Sequence, residues 1–555
     1  MLTRLTGGQV YDPAQGWCGE IKDLYIRDGV LVSTPDAGER IGHDYDLRGK
    51  IVMAGAIDIH SHIAGGNVNT ARVLLPEQHR NSMARKLGHA FSTARWSTTE
   101  IGYRYAQMGY TTVVEPAILP ANALDAHLQM ADIPIIDTAG LAILGNDDFL
   151  LRMMRAHASQ QQINDYVAWT LHATRCLGLK VINAGGANAF KANMRGFALD
   201  DVVPDYGVSS RHILQTLQCA ACNLQLPHPV HVHCNNLGIP GNVETAVATM
   251  EAAQGLPMHL AHIQFYGYGA EGTRGFSSAA STLIAAFKKH RNITMDVGQV
   301  LFGQTVTISG DVQAQYSRRF DATPNKWVAW DAECEGGGGV VPYRYQPKSF
   351  VNSLQWLIGL EIFLLADDPW RLFFTTDHPN GGPFTRYPQL LRLLMDYDYR
   401  LSCMAELHPE AVAMSLLKDI KKEFSLYEIA IMTRTAAAQM LGLPDRGHLC
   451  PGAIADIAVY TPHANKETQF SHAHLVFKNG ICVVQDGVVQ TRTHGTTQTL
   501  AVSYEPSIKR DLQAYYDQFY NLHLDNFKVG DVSFKQTDGQ RFVGHQLGKP
   551  YFAGV

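Results

Sequence analysis

From about residue 53 to residue 440, short apolar runs alternate with longer helical stretches, and this alternation restricts the chain more than any other feature. The runs include Thr111–Glu115, Ile133–Asp137, Gly178–Asn183, Val230–His233, Met258–His262, Ile293–Val297 and Leu372–Asp377, and helical patterns lie between them, as at Val243–Ala253 and Ser277–Lys289. Alternating β and α units imply a parallel sheet with right-handed crossovers. About eight units over this length predict a closed (β/α)8 barrel. A doubly wound nucleotide-binding sheet is disfavoured, because no glycine fingerprint follows an early strand. Gly336–Gly339, with no Lys-Ser/Thr after it, is a loop and not a phosphate cradle.

The ends of the chain read differently. Asp28-Gly29 separates two apolar runs near the start, and Asn479-Gly480 and Asp486-Gly487 do the same near the end. Such dipeptides are hairpin turns. A small β-sandwich built from both ends is therefore expected, with residues 1–52 and 446–500 flanking a barrel of residues 53–445. The aromatic-rich segment 501–555 (Tyr515, Tyr516, Phe519, Tyr520, Phe552) is too apolar for a solvated tail and is expected to pack on the protein or on a partner. A capping box, Ser425 with Glu428, opens a helix through Met440 that stops at Gly442.

Composition narrows the function. The chain has 555 residues, 17% of them charged, with a formal net charge of -5 and no basic cluster, which disfavours nucleic acid as the main partner. No leader-like apolar region or run approaching a membrane span is visible, so a cytoplasmic protein is expected. Nine scattered cysteines fit free thiols, and Cys219 and Cys222 sit in a helical pattern as core residues. No iron–sulfur spacing is present, so redox chemistry would belong to other subunits.

The chemistry is carried by strand ends. His60 and His62 follow the apolar run Ile51–Gly55, and alternation along an extended chain puts both on one side with Asp58 in line behind them. Lys180 lies inside an apolar strand, where an unpaired ammonium is costly. Burial lowers its pKa and leaves a neutral amine that can react with CO2. His233 ends the next strand, with His231 on the same face as a supporting residue or alternative ligand. His262 ends the one after, with His259 pointing away by parity, and Asp377 closes the last. Taken in order, His60, His62, Lys180, His233, His262 and Asp377 make a ligand set for two divalent ions, and imidazoles with a carbamate and a carboxylate suit Zn²⁺.

The same residues carry a family resemblance. "GKIVMAGAIDIHSH" (Gly49 to His62), "KVINAGG" (Lys180 to Gly186), "HVHCNN" (His231 to Asn236), "HLAHIQ" (His259 to Gln264) and "TTDHPNGG" (Thr375 to Gly382) resemble the amidohydrolase superfamily, which contains dihydroorotase and hydantoinase. The longer contexts "HSHIAGGNVNTAR", "HCNNLGIPGN", "HIQFYGYG" and "TTDHPNGGPFT" are similar to the family of A-type subunits of formylmethanofuran dehydrogenase, including their counterparts in the bacterial formyltransferase/hydrolase complex. The resemblance implies cleavage of an N-formyl amide, formyl-methanofuran or a methylofuran analogue, to formate and amine. It implies two Zn²⁺ ions bridged by carbamylated Lys180, and Asp377 as the proton-transferring residue. It also implies, as partners, the other subunits of such a complex: the formyltransferase and the B- and C-type subunits. Arg274 is expected to hold the formyl oxygen or the substrate. The alternatives are condensation of formate with methanofuran in an archaeal dehydrogenase, a hydantoinase or dihydropyrimidinase acting on a cyclic amide, and a non-catalytic scaffold.

Overall fold

The computed structural model describes residues 1–74, 98–192, 194, 196–272, 274–309, 330–331, 339–521, 523–534, 541–549 and 551. Cys334, Phe552 and most of the glycine run lie outside the described residues.

Eight strands form the predicted parallel sheet: β1 (Ala56–Asp58), β2 (Tyr110–Ile118), β3 (Asp137–Leu144), β4 (Gly178–Ile182), β5 (Val230–His233), β6 (Met258–Leu260), β7 (Ile293–Asp296) and β8 (Leu372–Phe373). Each pairs in parallel with the next. Helices cross between them, among them Gln160–Thr174, Ser210–Asn223, Val243–Ala252, Ala280–Lys289 and Phe350–Leu365. The ring closes by a minimal ladder, the single parallel bridge Ser61–His378. His62 N–H donates to the His378 carbonyl at 2.8 Å. Thr375 Oγ1 donates to the His60 carbonyl at 2.7 Å. The result is a distorted eight-stranded barrel in which the first and last strands meet at the segments carrying His60, His62 and Asp377.

Two strand boundaries differ most from the sequence reading. The apolar run at 133–136 precedes β3 and does not form it. Pro134 has no N–H to donate, Ile135 takes φ +72°, and its N–H turns to the Thr493 carbonyl. The β8 ladder stops at Phe373, so Thr375–Asp377 lie beyond the strand.

A nine-stranded sheet joins the two chain ends. Its N-terminal strands meet its C-terminal strands where Ile51–Ala54 runs antiparallel to Ile457–Tyr460. Alternation divides these strands between two cores. Val52, Ala54, Ile457 and Val459 face the sandwich core with Leu5, Val10 and Phe477. Ile51, Met53, Ala458 and Tyr460 face the barrel core. All three predicted turns hold both residues at positive φ, at Asp28-Gly29, Asn479-Gly480 and Asp486-Gly487. This conformation matches the twist of a two-residue hairpin.

Beneath the barrel, Lys478 Nζ lies 2.7 Å from Asp137 and 2.6 Å from Asp456, and Arg446 also pairs with Asp137. Thr496 donates its N–H and its hydroxyl to the other Asp137 oxygen. The segment after the sandwich returns to the barrel. Thr497–Leu500 pairs in parallel with the start of β3, and Phe542–His545 adds outside it. Helix Ile508–Phe519 packs on the same side, with Tyr515 Oη donating to Asp148 at 2.6 Å. The aromatic terminal segment thus covers this chain's own barrel. Cys219 and Cys222 sit on helix Ser210–Asn223 half-buried, not in the core. Among the described residues, no helix is long and apolar enough to cross a membrane.

Candidate metal centre

Several strand ends converge, and two carboxylates organise them. His60 Nε2 lies 3.0 Å from Asp377 Oδ1, and His62 Nε2 lies 3.4 Å from the same oxygen. The His262 ring centroid is 5.4 Å from that of His60 and 4.6 Å from that of His233. Ligand atoms of His60, His262 and Asp377 all fall within 4.8 Å of one another, and all three residues are buried. Together they form a cluster that can hold a metal ion. Lys180, on β4 beside His231 of β5, is 1% exposed.

His262 and Asp377 reach this point through the left-handed region, at φ +35° and +51°. Strand β6 ends at Leu260, so parity no longer applies two residues later. His259 and His262 therefore both turn toward the barrel axis, which corrects the expectation that His259 points away. Gly298, at φ +66°, leaves room for this arrangement, because a Cβ there would collide with the Cβ of His262.

Asp296, at the end of β7, is the buried hub. Its Oδ2 is 3.0 Å from His60 Nδ1 and 3.0 Å from His259 Nε2, while Oδ1 accepts the His262 N–H at 2.7 Å. Glu115 does the same for His62. Its Oε1 is 2.9 Å from His62 Nδ1, and Oε2 accepts the N–H groups of Ile63 and Ala64 at 2.6 and 3.0 Å. Carboxylates placed this way fix which ring nitrogen carries the proton and leave Nε2 for the centre. Neither acid was singled out from sequence, although each stands in an apolar strand, the signal that drew attention to Lys180. Asp58 serves the backbone and not a ring, accepting the His60 N–H at 3.0 Å and hydroxyls from Tyr105 and Tyr387 at 2.7 and 2.6 Å.

Arg274 is the clear departure. Its guanidinium is exposed, pairs with Glu410 at 2.7 Å and stacks 4.7 Å from the Phe350 ring centroid, and it joins none of the histidines. A loop arginine with an exposed acidic partner satisfies itself locally.

The electrostatics suit a cation. Burial pushes the Asp377 carboxyl up, but His60 and His262 more than offset this and hold it well below the ordinary range. Burial lowers the His62 pKa, yet Glu115 and Asp377 raise it to about 9. Burial dominates at Lys180, lowering it to about 8 against the pull of Asp296 and Asp377. Among the described residues, Lys180 Nζ and His262 Nδ1 are buried without a hydrogen-bond partner. Unpaired buried polar atoms are costly, and here they gather with imidazoles and a carboxylate, a donor set that fits a divalent metal. A narrow cleft of about 20 Å³ opens beside His62 and is lined by Arg72, His378 and Phe384 among others.

Comparison with known proteins agrees with this geometry. The model of the Amidohydrolase family matches residues 45–490. The A-type subunit of the formyltransferase/hydrolase complex Fhc of Methylorubrum extorquens is 47% identical over 546 residues, covering 97% of this chain and 98% of that protein. Protein FwdA of Methanocaldococcus jannaschii is 36% identical over 554 residues, covering 95% and 96%. The crystal structure of the formyltransferase/hydrolase complex FhcABCD from Methylorubrum extorquens, in complex with methylofuran, superposes with a TM-score of 0.93 at 46% identity, covering 99% of this chain and 100% of that one. The chain belongs to the amidohydrolase family and is closely related there to FwdA and to the A-type subunit of Fhc.

Proposed function

We propose that this chain hydrolyses the N-formyl amide of formyl-methanofuran or a methylofuran analogue, as the amidohydrolase subunit of a formyltransferase/hydrolase complex. Water adds across the C–N bond, giving formate, a proton and the free amine. The observation that carries the reading is the buried His60–His262–Asp377 cluster beside unpartnered Lys180, in a chain 47% identical to the A-type Fhc subunit over nearly its whole length.

His60, His62, His233, His262, Asp377 and carbamylated Lys180 would together hold two zinc ions. Metal bound there supplies a Lewis acid for the formyl oxygen and makes water a competent nucleophile near neutral pH. Lys180 suits carbamylation because burial favours its neutral amine, which adds CO2 and releases a proton. Carbamylation turns this buried amine, which lacks a hydrogen-bond partner, into an anionic oxygen ligand. Asp377 is the base that takes the proton of the attacking water and passes it to the departing amine.

Assembly with formyltransferase and with B- and C-type subunits follows from the likeness to one chain of FhcABCD. The reverse condensation, in the manner of a FwdA-type protein, is the second reading, and the lower identity of 36% ranks it behind. The assembled complex should be assayed with formyl-methanofuran and, separately, with dihydrouracil. Formate release from the first and no turnover of the second is expected. Turnover of the cyclic amide alone would overturn the assignment.

A further inference from the structure

Two buried histidines outside the ligand set, His228 and His231, line up behind His60. His60 Nδ1 lies 3.0 Å from His231 Nε2, His231 Nδ1 lies 3.3 Å from His228 Nε2, and His228 Nδ1 lies 3.2 Å from the Met440 carbonyl. All three rings are at most 1% exposed. Met440 sits at the end of helix Ala436–Leu441, where carbonyls have no helical partner. That oxygen can only accept.

A neutral imidazole has one N–H and one lone pair, so the proton positions follow from the floor upward. His228 must carry its proton on Nδ1 to reach Met440, which leaves Nε2 as an acceptor. His231 must then donate from Nδ1, which leaves its Nε2 as an acceptor, and His60 must donate from Nδ1. Asp296 Oδ2, 3.0 Å from His60 Nδ1, makes the same demand, since a carboxylate only accepts. A branch obeys the same rule, with His259 donating from Nε2 to Asp296 and accepting at Nδ1 from the Thr294 hydroxyl 2.9 Å away.

We infer that His228 and His231, anchored on the Met440 carbonyl, are positioning residues that hold His60 in the Nδ1–H form and present its Nε2 lone pair to the metal centre. A helix end at the barrel floor thereby sets the ligand state of a histidine three rings away. The same three atoms, His60 Nδ1, His231 Nε2 and Asp296 Oδ2, could geometrically enclose an ion. The hydrogen-bond spacing of 3.0 Å and the unbroken donor order favour protons there.

The inference rests on the reading of His60 as a metal ligand, and its test separates the two. Neutron diffraction from deuterium-exchanged crystals of the full chain should show deuterium on Nδ1 of His60, His231 and His228 and on Nε2 of His259. Deuterium on Nε2 of His231 or His228, or a metal peak between His60, His231 and Asp296, would overturn it. If the deuterons are as stated but no metal sits at His60 Nε2, the metal reading fails and the positioning chain stands. Zinc affinity measured by chelator competition gives a second readout. His228→Leu should bind roughly 10–100-fold more weakly. His228→Gln, whose amide oxygen still accepts from His231 and whose volume is similar, should recover most of that loss. Equal affinity in His228→Leu and wild type, or an equal loss in both variants, would contradict the inference.

Discussion

Glu115 Oε1 lies 2.9 Å from His62 Nδ1, and its other oxygen accepts the N–H groups of the two residues that follow His62. One carboxylate thus sets both the ring of a candidate ligand and the backbone leading away from it. Glu115→Gln puts an NH2 group against donors on at least one side. Zinc affinity should fall roughly 10–100-fold in a chelator competition, and unchanged affinity would show that His62 needs no such partner.

Gly298 and His262 are locked in the same way by shape. In Gly298→Ala the new Cβ would lie 2.8 Å from His262 Cα at φ +66°, so either His262 moves or the loop does. The backbone strain alone costs about 1–3 kcal/mol. Gly16 has nearly the same φ, +68°, with nothing within 4 Å of its added Cβ, and serves as a control. In urea unfolding both alanine variants should be destabilised. Only Gly298→Ala should also lose metal, and metal retention there would mean that His262 is not held by this contact.

Asp137 gives the chain an acid-sensitive joint. Burial pushes its carboxyl up, but Lys478 and Arg446 outweigh burial and hold it below the ordinary range. A carboxylate with a folded pKa below its unfolded value of about 4 stabilises the fold above that pH. The contribution disappears as pH falls toward the folded pKa. Asp137→Asn leaves two buried cations short of a partner and should cost about 3–5 kcal/mol at pH 7. Unfolding curves from pH 7 to 3 should show the mutant less stable at neutral pH and with a smaller further loss below pH 4. Parallel curves would remove Asp137 from the acid response.

Asp377→Asn keeps an oxygen toward the histidines but cannot take a proton. Metal content should stay near wild type while formate release falls by about 10²–10⁴-fold. Wild-type turnover would take Asp377 out of the proton path.

Much of this arrangement was legible from local chemistry. The hairpin dipeptides, the capping box at Ser425 and the strand-end residues His60, His62, Lys180, His233, His262 and Asp377 act through spacing and residue type, which the chain displays directly. What was not legible depends on tertiary placement. His259 turns inward because β6 ends at Leu260 and His262 goes left-handed, which no period-two pattern reports. Asp296 and Glu115 look like ordinary strand residues until β7 and β2 bring them under the rings. Arg274 looked functional in its glycine-flanked loop, but Glu410, 136 residues later, claims it.

The proposed chemistry depends above all on Lys180 joining the histidines and Asp377 in a two-metal hydrolytic centre. Crystallographic density at Lys180 Nζ, collected together with anomalous scattering at the zinc edge, tests this most directly. Two zinc peaks are expected among His60, His62, His233, His262 and Asp377, with continuous carbamate density from Nζ between them. An unmodified Lys180 with no anomalous peak at these histidines would contradict it.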